Sequence, residues 1–138
     1  MDADTLNSLV SSAIWRAEQL EGRGISAATQ AWLEVSSVED ELAKVLPATE
    51  SEGRIARRGA VRAALKAKDH SRAESLVETY SDEDQAPETL KRELRKMLKE
   101  DDEAITARFR YASKRHTLRE TRELVRRFRE GGAFGLAA

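Results

Sequence analysis

Apolar residues recur along this chain at intervals of three and four, the period of an α-helix. The first run is Leu6, Leu9, Val10, Ala13, Ala17 and Leu20, and it predicts a helix from about Asp4 or Thr5 to the glycines at 22 and 24. Asp2 and Asp4 suit the positive end of its dipole. The second run, Ala31, Val35, Val38, Leu42 and Val45, alternates steps of four and three. That is the seam of a helix packed nearly parallel or antiparallel to another. Ser26 reads as its N-cap and Pro47 as its stop. With only Gly22, Arg23 and Gly24 in the turn, the two segments predict an αα-hairpin.

Thr49 with Glu52, Ser71 with Glu74, and Thr117 with Glu120 each read as a capping box opening a helix. The third helix has a small side, Ala56, Gly59, Ala60, Ala63 and Ala67, which invites close backbone approach, and it runs to about Lys68. The fourth is expected to bury Ala73, Leu76, Val77 and Tyr80. This pair resembles a single tetratricopeptide unit in its small residues, tight turn and Ala73. No second copy stands at the offset of roughly 34 residues that such arrays keep. Pro87 suits the first position of a fifth helix. Its apolar face is Leu90, Leu94, Met97, Leu98, Ile105, Phe109 and Ala112, except that Asp101 falls on it. An unpaired carboxylate there is costly, so the expectation is a break near residues 100–102 or an arginine partner for Asp101. Leu118, Thr121, Leu124, Val125 and Phe128 give a last apolar side, ended by Gly131 and Gly132. The fold class is therefore all-α, a bundle of five to six amphipathic helices beginning with a hairpin. Residues 1–130 read as one helical domain and 131–138 as a flexible tail.

Composition narrows the chemistry. Charged residues make up 36% of the 138 and there is no cysteine, which removes disulfides, thiolate metal sites and cysteine nucleophiles together. No signal-peptide pattern opens the sequence, and no apolar run approaches the roughly 18 residues of a membrane span. A cytoplasmic protein with no membrane contact is expected. His70 and His116 stand in no metal-binding spacing, and no glycine-rich phosphate loop or supported nucleophile is present. The acidic run from Glu100 to Glu103 reads as the first turn of a new helix. Neither catalysis, a cofactor nor a small-molecule substrate is expected.

The net charge of −1 conceals segregation: residues 1–52 carry −7, 53–80 carry +4, 81–90 carry −4 and 91–130 carry +6. Arg115, Arg119, Arg122, Arg126 and Arg129 form one cationic stripe on a helix, roughly 20 Å long. Arg54, Arg58, Arg62 and Lys66 form a candidate second basic row. Glu34, Glu39, Asp40 and Glu41 are expected to be exposed on the acidic hairpin, as the counterpart of the stripe in a second copy or another subunit. Trp15 lies opposite the apolar stripe of its helix. It is expected to be covered by another part of the fold, with an aromatic anchor for a partner as the other reading. These features suggest a non-enzymatic interaction module or small structural subunit. The alternative is a helical subunit contacting a nucleic-acid backbone without base specificity, since Arg108, Arg110, Lys114 and Arg127 interleave with Phe109 and Tyr111 nearby. The final Leu136, Ala137 and Ala138 resemble the end of the bacterial transfer-messenger-RNA degradation tag, which would make that end a protease signal.

Overall fold

The first helix begins at the N-cap residue Asp2, whose carboxylate accepts a 2.8 Å hydrogen bond from the Thr5 amide. In this computed structural model, which describes residues 1–24, 26–112 and 118–131, six helices follow one another. They are α1 (Ala3–Gly22), α2 (Ala27–Val45), α3 (Ser51–Lys66), α4 (His70–Ser81), α5 (Glu88–Ala112) and α6 (Leu118–Gly131). No strand occurs among the described residues. The Thr117 cap lies outside the described residues, and so does the expected 131–138 tail apart from Gly131, which is the last residue of α6. Among those described, no helix is long and apolar enough to cross a membrane.

Each helix packs on its neighbours in sequence, beginning with the α1–α2 hairpin, and α3 also meets α5 while α4 meets α6. The main core joins Leu6 and Val10 of α1, Leu42 of α2, Ala56, Ala60, Val61 and Ala64 of α3, Ala73, Leu76, Val77 and Tyr80 of α4, and Leu90 and Leu94 of α5. A second cluster puts Trp32 and Val35 of α2 against Ala63 and Ala67 at the end of α3, with Ala17 of α1. The alanine face of α3 is what permits this, because small side chains let two helix axes approach closely.

Several local expectations are corrected. Ser26 has helical backbone angles and makes no capping bond. Neither Thr49 nor Ser71 is a cap: α3 starts after Glu50, which makes no side-chain cap, and α4 starts after Asp69, whose carboxylate accepts from the Arg72 amide at 3.0 Å. The turn between them is set by Lys68 at φ 60°, in the left-handed region, with the Asp69 amide donating back to the Ala64 carbonyl at 3.0 Å. That six-to-one bond closes α3 and fixes where α4 can begin. Pro87 stands just before α5 rather than inside it. α5 runs unbroken through Asp101, so the acidic run is mid-helix and not a first turn. Asp101 finds a histidine instead of an arginine, at 3.1 Å from Nδ1 of buried His70. Leu9 and Val45, expected in the core, are exposed.

Candidate functional site

The α3 row is fastened to its own molecule. Arg54 donates to the Ala48 and Thr49 carbonyls, Arg58 pairs with Glu93 of α5 at 3.0 Å, and the Lys66 ammonium lies 4.5 Å from the Trp32 ring centroid. Arg62, though exposed, acts electrostatically on the Glu39 carboxylate. The row is thus partly engaged within its own molecule, while Arg62 and Lys66 remain exposed. One turn further round, Arg57 is the residue that the sequence reading missed. It is buried and makes five hydrogen bonds, two to the Glu83 carboxylate and one each to the carbonyls of Ala43, Leu46 and Gly53. Its position three residues before Ala60 and four after Gly53, on the small side of α3, was the available signal.

The acidic set divides in two. Glu39 is buried, and burial pushes its carboxyl up to about 7, against a smaller opposing pull from Arg62. Asp40 accepts a 2.5 Å hydrogen bond from the Tyr80 hydroxyl, and burial together with this bond holds that hydroxyl well above the usual phenol range. The expectation that Glu39 and Asp40 face solvent is therefore corrected: both point toward α3 and α4, on the inner side of α2. Glu34 and Glu41 do remain exposed, in surface pairs with Arg16 and Lys44. Together with Val38 and Val45 they form one outer stripe of α2, spaced four, three and four. Beside it lies an open groove of about 800 Å³ lined by Leu9, Ala13 and Trp15 of α1 and Val38 of α2. Trp15 is 65% exposed, so the expectation that another part of the fold covers it is corrected.

The arginine stripe also divides. Arg115 lies outside the described residues. Arg119, Arg122 and Arg126 are exposed on α6, with Arg126 paired to Glu123 one turn away. Arg129 turns inward to Asp102 of α5. This pair adjoins His70, whose Nε2 is 3.1 Å from Glu74 and 3.7 Å from Asp102, so α4, α5 and α6 meet at one polar cluster. Phe109 packs edge-on against Phe128, with ring centroids 6.1 Å apart, and is not offered for stacking. Tyr111 is 81% exposed, beside exposed Arg108 and Arg110. A small cleft bordered by Lys66, Lys68, Arg108 and Phe128 brings the end of the α3 row to the α5–α6 region.

Among the described residues, no group of three histidine, aspartate or glutamate side chains is placed to hold a metal ion. The arrangement can present charge and apolar surface to another macromolecule: arginines on the last helix, and an open groove on the first two that holds Trp15 and Leu9 beside the Arg16–Glu34 pair. Compared with known proteins, the chain matches no family model, no curated protein and no solved structure.

Proposed function

We propose that this chain is a non-enzymatic helical interaction module, a small structural subunit that docks to protein partners through its segregated charged faces. One observation carries the reading. Among the exposed charges, arginine exceeds acid on α6, with Arg119, Arg122, Arg126 and Arg127 against Glu120 and Glu130, and acid exceeds base on α2, with Glu34 and Glu41 against Lys44. α2 makes no contact with α6, so the two sets belong to separate parts of the molecule. Surface ion pairs such as Arg16–Glu34 contribute little to folding, which leaves these groups free to exchange partners.

Contact with a nucleic-acid backbone is the second reading, and exposed Arg108, Arg110 and Tyr111 beside α6 favour it. Changing Arg119, Arg122 and Arg126 together to glutamine tests both, because all three are exposed and folding should be nearly unaffected. On the protein reading, light scattering shows the variant losing complex mass. On the nucleic-acid reading, the variant loses affinity for duplex or single strands, and its log–log salt slope flattens by about 2 to 3 units. A variant that keeps both its native mass and its nucleic-acid affinity refutes the two together.

A further inference from the structure

We propose that the partner of the α6 arginines is the α1–α2 groove of a second copy of this chain, so that copies stack head to tail. The inference rests on the interaction-module reading and names its occupant. Three observations carry it. First, the groove is open, and its lining sets Leu9, Ala13, Trp15 and Val38 beside Ser11, Ser12 and the Arg16–Glu34 pair, with Trp15 and Leu9 exposed. Second, Glu34 in its lining and Glu41 further along the outer stripe of α2 stand in a register that α6 matches. Glu34 and Glu41 are seven residues apart on α2, and Arg119 and Arg126 are seven apart on α6. At 1.5 Å per residue both spacings are about 10.5 Å. Third, the two surfaces lie on helices that do not touch, so one molecule cannot satisfy its own pair.

In the contact, the carboxylates exchange Arg16 and Lys44 for the incoming guanidinium groups. The arginine stems cover Val38 and Leu9, and one guanidinium faces the Trp15 ring, the residue type best suited to hold a cation on its face. The Leu124, Val125 and Phe128 side of α6 stays packed in its own molecule, so the partner helix need not unfold. A contact between two different surfaces leaves one of each unused at the ends, and the assembly grows as a chain or closes as a ring.

The test uses full-length protein and two charge-neutralising variants, Glu34→Gln with Glu41→Gln, and Arg119→Gln with Arg126→Gln, each checked for an unchanged helical spectrum and melting curve. Wild-type mass by sedimentation should rise with concentration in low salt and return to monomer near about 0.5 M salt, where charges are screened within a few ångströms. Each variant alone should stay monomeric. Mixed, they should form a one-to-one dimer and stop there, because each supplies the face that the other has lost. Trp15→Ala, which touches no charge, should weaken wild-type association at least tenfold. A mixture that stays monomeric, or one that grows past the dimer, overturns the proposal, as does full association by Trp15→Ala. A monomeric wild type whose arginine-to-glutamine form loses a different protein or nucleic acid overturns self-stacking alone and leaves the interaction reading standing. An arginine-to-glutamine form that behaves as wild type in every assay overturns both.

Discussion

Glu39 and Arg57 both carry charge on the inward side of a helix, and their surroundings make them opposite cases. Arg57 has all its guanidinium donors engaged and its cation 5.6 Å from the Tyr80 ring centroid, so its burial leaves nothing unmet. Glu39 is pressed against Gly59 with no hydrogen-bond donor on it among the described residues, and its carboxyl is pushed up to about 7 by that burial. The folded chain therefore holds this proton at a pH where the unfolded chain has released it. Glu39 burdens the fold least below the ordinary carboxylate range of about 4.5, and stability falls as pH rises from there to about 7. Glu39→Gln should remove that slope. With allowance for the solvent that reaches the carboxylate from the adjoining cavity, the variant should be more stable by about 1 to 2 kcal/mol at pH 8 and nearly unchanged at pH 4, in urea unfolding at both values. Position alone marks both residues in the sequence, since Glu39 lies four after Val35 and three before Leu42. Their partners are not legible there. The carbonyls that receive Arg57 belong to α2, to the α2–α3 turn and to α3 itself, and only folding assembles them.

At the level of the helices, the tightest joint is where α3 begins. A β-carbon built on Gly53 would fall onto the Pro47 carbonyl, and backbone there cannot swing aside as a side chain would. Alanine ordinarily favours a helix interior over glycine by about 1 kcal/mol, yet here the collision outweighs it. Gly53→Ala should lose about 2 kcal/mol net by denaturant titration, from displacement of α3 on the α2–α3 turn. The helices themselves were legible because burial repeats at their period: Ala73, Leu76, Val77 and Tyr80 are buried as the spacing required. Their starts were not. A Ser/Thr-x-x-Glu pattern is a local preference, whereas α4 begins where the left-handed Lys68 turns the chain and Asp69 then captures the Arg72 amide. Asp101 shows the same limit, because its partner His70 lies 31 residues away. Among the candidate site residues, spacing found the outer arginines and Glu34 and Glu41. It could not separate them from Arg129, Glu39 and Asp40, whose neighbours come from other helices.

Over the whole molecule, support is uneven. α3 touches α2, α4 and α5 and supplies more of the buried alanines than any other helix, while among the described residues α6 rests on α5 and α4 only. Native-state hydrogen exchange should therefore find α6 opening first and the middle of α3 last, and uniform protection across the two would contradict this packing. An easily opened last helix agrees with its proposed use as the element offered to a partner. The same contact pattern bears on how the chain is made. No helix packs on one more than two places away in the order of elements, so few long loops must close before a contact can form. During synthesis α1, α2 and α3 can assemble while the arginine-bearing end is still inside the ribosome, and each later helix emerges onto a surface already built to receive it.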